Sequence, residues 1–157
     1  FRFPRPLIGE KDYDFSFSGL KTAVLREVLR VRDSSAAPQN DDMLAFQNDN
    51  MLDEQTVNDI AAGTQAAIVD VLVKKTLRAA KEFGVKSILL SGGVAANQNL
   101  RESFKSEIEK QNIGVDLFVP PKNLCTDNAA MVAAAGYFNY SPVEWEELGV
   151  NPELYYE

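Results

Sequence analysis

Apolar positions along the chain change their period several times, and each change marks a predicted element. In DYDFSFSG, Tyr13, Phe15 and Phe17 alternate with polar residues, the period of a half-buried strand. Gly19 breaks that run. From Leu20 to Arg32 the period is helical, with Leu20, Val24 and Val28 at i, i+4, i+8 and Leu25 and Leu29 beside them. A long helix is predicted from about Thr56 to Phe83, where Val69, Leu72, Val73, Thr76, Ala80 and Phe83 form a stripe. Gly84 follows as its stop signal, and Gly63 weakens its first turns. Ile88-Leu89-Leu90 is a continuous apolar run, the sign of a strand buried on both faces of a parallel sheet. Leu100, Phe104 and Ile108 predict a helix over 97–110. VDLFV at 115–119 reads as a second short strand, ended by Pro120 and Pro121. AAMVAAAGYF, from Ala129, is apolar on most faces and predicts a largely buried helix.

The stretches between these elements are of three kinds. Residues 1–11 carry two prolines and no period, and read as an extended lead-in. Residues 33–54 are acidic and turn-rich, with a short echo, QNDDML then QNDNML, too brief for a repeat fold. They read as a mobile insertion holding one short helix, anchored by Met43, Leu44, Phe46 and Leu52. The tail from Ser141 is acidic and irregular. From residue 56 onward the order is α-β-α-β-α, which predicts an α/β fold with a mostly parallel sheet covered by helices.

Composition narrows the chemistry more than the fold. The 157 residues are 45% hydrophobic and 25% charged, which suits one globular domain. One cysteine excludes an internal disulfide framework and a multi-cysteine metal site. The absence of histidine removes a Ser-His-Asp triad, a Cys-His pair and any His-ligated metal site built from this chain alone. The apolar runs fall short of the ~18–20 residues that span a bilayer. The chain opens on Phe1 rather than methionine, and a fragment, a processed product or an incomplete chain is expected. Net charge is −7, distributed as +3 over residues 1–32, −8 over 33–70, +4 over 71–122 and −6 over 123–157. Two basic patches are conceivable, one around Lys21, Arg26, Arg30 and Arg32 and one around Lys74, Lys75, Arg78 and Lys81. Solvated helix faces are the plainer reading of both.

Ligands of open α/β sheets bind outside the carboxyl ends of the strands, which here means Ser91–Asn97 and Pro120–Asp127. Neighbouring strands would open both loops into one cleft. Gly92 and Gly93 let the backbone approach a ligand closely, and the helix after them offers free N–H groups. A tight strand-to-helix turn explains the same residues. Asn97 either hydrogen-bonds a ribose, base edge or phosphate, or caps the helix it precedes. Asp127 either binds a metal or a proton, or caps the next helix. Cys125 reads as a buried packing thiol, since no histidine is present to activate it. Lys21 either reaches a phosphate or is solvated at a helix N-terminus.

DFSFSGLKTAV at 14–24, LLSGGVAANQNLR at 89–101 and CTDNAAMVAAAGY at 125–137 together resemble the TsaD family. These are tRNA N6-adenosine threonylcarbamoyltransferases, long labelled O-sialoglycoprotein endopeptidase or glycoprotease. FPRP at 3–6 also resembles the family sequence before its FSFSGLKT segment. The motifs are long, ordered and spread across almost the whole chain; 33–54 is the stretch without a close match. The resemblance implies an actin-like (ASKHA, ribonuclease H-like) fold, of which residues 1–157 are the C-terminal lobe, the N-terminal metal-binding lobe being absent. It implies transfer of a threonylcarbamoyl group from threonylcarbamoyl-adenylate to N6 of the adenosine beside the anticodon, in tRNAs reading codons that start with A. It further implies one divalent metal, iron or zinc, held by two histidines of the other lobe and by Asp127. Asn97 would touch the nucleotide-like substrate, and Gly92 and Gly93 would form the phosphate-side turn. The expected partners are tRNA, the adenylate and other proteins of the threonylcarbamoyladenosine machinery, in the cytoplasm and without a membrane. Dimerisation of the isolated lobe through its exposed edge is a further expectation. The family's histidines are not in this chain, so the chain alone is expected to be inactive. The alternative is a non-catalytic nucleotide-binding or partner-binding module of the same fold. The peptidase label finds no nucleophile-base pair in the sequence.

Overall fold

The computed structural model describes residues 1–32, 52–147 and 149. Its elements are α1 (Ser18–Arg32), α2 (Glu54–Glu82), β1 (Ser87–Leu89), α3 (Gln98–Gln111), β2 (Asp116–Phe118) and α4 (Ala129–Phe138). Single 3-10 turns lie at Gly93–Ala96, Lys122–Leu124 and Trp145–Glu147.

The predicted long helix is α2, the spine of the molecule. It has 29 residues, about 43 Å of helix at the usual rise. The Asp53 carboxylate starts it by accepting hydrogen bonds from the Thr56 amide (2.9 Å) and hydroxyl (2.6 Å). Gly84 ends it with φ +59°, a conformation that glycine reaches without the steric cost of a Cβ. One face of α2 packs on α3 and the sheet: Val69, Val73, Leu77 and Ala80 are buried with Ile88, Leu100, Phe104 and Val115. Another meets α1 and the lead-in, where Ile60 and Ala67 are buried with Phe3 and Leu20. Phe83, expected to extend the stripe, is exposed.

The lead-in crosses α2 at Gly63. A Cβ there would sit 2.5 Å from the Phe1 carbonyl oxygen and 3.2 Å from Phe3 Cδ2, so this helical glycine exists to let another stretch of backbone pass. Arg5 fixes the crossing with an ion pair to Asp70 on α2 (3.0 Å).

Residues 12–17 are not a strand: no described strand lies beside them, and α2 side chains take the place of a ladder. Lys75 Nζ donates to the Asp14 carbonyl (2.6 Å) and the Asp12 carboxylate (3.1 Å), and Arg78 donates to the Asp12 carbonyl (2.5 Å). Tyr13 packs at a tilt against Phe83 and lies under the Arg78 guanidinium, and Phe17 packs into the α1 cluster. Lys75 is 1% exposed, so it is no part of a basic surface, contrary to expectation. Helix α1 begins at Ser18, with Gly19 inside its first turn rather than before it.

β1 and β2 pair in parallel, with Ser87 opposite Asp116, Ile88 opposite Leu117 and Leu89 opposite Phe118. Helix α3 joins them, making a βαβ unit as the element order predicted. Among the described residues only one face of this sheet is covered. Ile88 is buried against α2 and α3, whereas Leu89 and Phe118 are 74% and 58% exposed on the other face, where no described element packs. The expectation of a strand buried on both faces therefore fails at Leu89. Helix α4 departs further: none of its residues is buried, again because no described element lies against it. The expected insertion at 33–54 lies mostly outside the described residues. Its last residues belong to the fold, with Leu52 packed beside Ile60 and Glu54 opening α2. No helix among the described residues is long and apolar enough to cross a membrane.

Candidate functional site

Parallel pairing puts the carboxyl ends of β1 and β2 on the same edge, so the loops that follow them leave side by side. A Cβ on Gly93 would lie 3.8 Å from Thr126 Cγ2, ordinary van der Waals contact, so the two loops meet there. The two loops are therefore adjacent, while the groove described below is lined by residues of the first loop and not of the second.

The first loop turns on Gly92, at φ +82°, and runs through the Gly93–Ala96 turn into α3. Asn97 caps α3, its Oδ1 accepting from the Leu100 amide (3.0 Å). The capping reading is thus correct, and the side chain does a second job. Its Nδ2 donates to Oε1 of Gln65 on α2 (2.7 Å), which locks the loop to the spine. One Nδ2 hydrogen and one Oδ1 lone pair remain for a ligand. Asn97, Gln65 and Val94 face a groove of about 510 Å³ whose other walls include Val24, Val28 and Ile60 from α1 and α2. A volume of that order accommodates a nucleoside-sized ligand, and an apolar slot with few polar groups suits a flat ring.

The second loop holds Cys125, Thr126 and Asp127. Cys125 is buried, as expected of a packing thiol. Asp127 is exposed and has no hydrogen-bond or ion-pair partner among the described residues. It does not cap α4; Asn128 does, accepting from the Met131 amide (3.0 Å). The acid is therefore free for another use, though it does not line the groove that Asn97 faces. Among the described residues no group of three or more His, Cys, Asp or Glu could hold a metal. A catalytic divalent centre takes about three protein ligands, and these two loops offer one carboxylate. The donor set among the described residues does not by itself fit a metal.

Two further residues join the site that sequence reasoning passed over. Gln65 lies on a helix face with no local signal. Arg101, one turn into α3, reaches back across both loops: Nε donates to the Ala95 carbonyl (2.5 Å), and Nη2 to the Pro120 carbonyl (2.9 Å) and Cys125 Sγ (3.0 Å). A cation one turn after a glycine turn was its only advance sign. Lys21 is exposed on α1 and outside the groove lining.

The model of the family described as TsaD: tRNA N6-adenosine threonylcarbamoyltransferase matches residues 1–134. The chain belongs to the TsaD family. Curated relatives of the family are similar over most of this chain. The tRNA N6-adenosine threonylcarbamoyltransferase of Thermosipho africanus is 49% identical over 140 residues, 89% of this chain and 36% of the relative. That of Listeria innocua is 44% identical over the same share. That of Lactiplantibacillus plantarum is 41% identical over 153 residues, 98% of this chain and 39% of the relative. The chain thus spans a little over a third of the length of these relatives. The match covers both loops of the site, and the mixed fold with a small parallel sheet agrees with an α/β portion of the family.

Proposed function

We propose that this chain is the part of a tRNA threonylcarbamoyltransferase that binds the adenylate side of threonylcarbamoyl-adenylate and contributes one carboxylate to the catalytic centre. The observation that carries this reading is the close approach of the Gly92–Asn97 turn to the Thr126–Asp127 loop at the carboxyl edge of a parallel sheet. The relatives' names supply the reaction class.

In this reading the adenosine N6 amine attacks the carbamoyl carbon, the bond from that carbon to the phosphate oxygen breaks, and AMP departs. The chain's own residues serve the leaving group. Gly92 and Gly93 allow phosphate to approach backbone N–H groups, and Asn97 holds a ribose or base edge at the groove mouth. Asp127, exposed and without a partner among the described residues, would serve as one ligand of a divalent iron or zinc whose remaining donors lie outside this chain. The fold is the C-terminal lobe of an actin-like (ASKHA) pair. The acceptor tRNA and the other proteins of the modification machinery meet the assembled enzyme in the cytoplasm, and the isolated chain self-associates through its uncovered apolar surface.

Asp127→Asn in the protein extended to the length of its relatives is the direct test. In the 157-residue chain the side chain has no hydrogen-bond or ion-pair partner among the described residues, so there the same substitution should leave the unfolding free energy within about 0.5 kcal/mol of the parent. In the extended protein, formation of threonylcarbamoyladenosine in tRNA should fall about 100-fold or more. An unchanged rate removes Asp127 from the reaction. Transferase activity from the 157-residue chain by itself overturns the view that the site is completed elsewhere.

A further inference from the structure

The geometry points to Arg101 as the positioning residue that fixes the separation of the two loops and so couples Asn97 to Asp127. The inference rests on the reading that both loops flank one adenylate site.

Three observations converge on this side chain. It is half-buried and spends its donors on both loops at once, Ala95 in the first and Pro120 and Cys125 in the second. One target on each loop, Ala95 and Pro120, is a backbone carbonyl, whose position defines the loop path rather than a side-chain rotamer. Its own backbone is held by the same cap as the site, since the Arg101 amide donates to the Asn97 carbonyl (3.3 Å). A planar guanidinium presents donors in fixed directions, so satisfying Ala95 with Nε and Pro120 with Nη2 leaves the loops little freedom to separate. The strand ends before the loops are tied by the Leu90 amide donating to the Phe118 carbonyl (2.9 Å), and beyond them a Cβ built on Gly93 would reach only van der Waals range of Thr126 Cγ2 (3.8 Å). The chain thus carries a charged brace across the seam between the two loops. Arg101 touches neither reacting atoms nor, on this geometry, the ligand; it acts through where it puts Asn97 and Asp127.

The single cysteine makes the brace measurable, because Cys125 is 4% exposed and lies directly under Nη2. Two variants of the chain, Arg101→Gln and Arg101→Lys, are compared with the parent. Lysine keeps the charge and the aliphatic stem but cannot fork, so it separates loss of the two-way brace from loss of folding. The thiol is labelled with an aromatic disulfide reagent, and AMP is titrated against isotope-labelled chain by NMR. Labelling should quicken about tenfold or more in Arg101→Gln, the factor expected from losing one charge-assisted hydrogen bond, and by less in Arg101→Lys. AMP should shift amides of both loops together in the parent. In Arg101→Gln the shifts should be confined to residues 92–97, with Arg101→Lys between the two. A merely structural arginine would change labelling and stability but leave the shared shifts of the two loops intact, and that result overturns the inference while sparing the proposed function. Unchanged labelling in Arg101→Gln also overturns it. No AMP-induced shift in the parent removes the adenylate reading and the coupling role with it.

Discussion

Helices α2 and α4 have fates opposite to those their compositions suggest. α2 mixes lysines, acids and amides among its apolar residues, yet eight of its side chains are buried. α4 carries no charged residue at all, yet buries none, and leaves Val132, Tyr137 and Phe138 at 65%, 79% and 81% exposure. The difference lies in neighbours. α2 has α1, α3, the sheet and the lead-in against it, while no described element packs on α4. Apolar composition says that a helix wants a partner; only the rest of the fold says whether this chain provides it.

The contrast predicts a wide gap in the cost of truncation. Leu77→Ala should destabilise by about 2–5 kcal/mol in urea unfolding, because it empties a site at 1% exposure. Val132→Ala on α4 should stay within about 0.5 kcal/mol. Comparable losses would mean that α4 packs in solution against something in the chain itself.

A smaller effect should appear at Gly63, where α2 meets backbone rather than side chains. Alanine is the better helix former by about 1 kcal/mol, yet Gly63→Ala should lower stability by about 1–3 kcal/mol, since its methyl meets the Phe1 carbonyl. Removing Phe1 to Phe3 together with the substitution should reverse the sign relative to the same truncation alone. A stabilising Gly63→Ala in the intact chain would mean that the lead-in does not cross α2 at this point.

The gentlest perturbation is acid. The Lys75 ammonium donates a hydrogen bond to the Asp12 carboxylate and holds its pKa below the ordinary 3.8, with the Asp14 amide and the Lys75 and Arg78 charges adding to the effect. The unfolded chain then binds more protons than the folded one between the two values. This contribution is complete above the unfolded pKa and disappears as pH falls through the lowered one. Asp12→Asn should therefore flatten the fall in stability below about pH 4 while leaving α4 unaffected. An acid limb identical to the parent's would show that the Asp12–Lys75 contact contributes nothing in water.

Much of this architecture was legible from residue spacing. Spacing alone marks Leu100 and Phe104 as the buried stripe of α3, Gly84 as the stop of α2, and the α-β-α-β-α order as a parallel pair. The failures share one cause. The alternation of Tyr13, Phe15 and Phe17 is a strand pattern, but a strand needs a neighbour, and Lys75 and Arg78 satisfied those carbonyls instead. Leu89 and α4 were expected to be covered for the same local reason and are not. At the site, Gly92, Gly93 and Asn97 could be picked out because turn and cap chemistry is local. Gln65 and Arg101 could not, because their partners lie 32 residues away on another helix and 19 to 24 residues away in another loop. The common frame of both loops, and membership of the TsaD family, came from motifs longer than any single physical pattern.

Lys75 carries a consequence for chemistry in solution. Its amine is sheltered by Asp12, Asp14 and the ring of Phe15, so acylating reagents should modify the surface lysines first and reach this one only when the first residues of the chain peel from the spine. The delay before Lys75 reacts becomes a clock for that peeling, readable by mass spectrometry without any label or ligand.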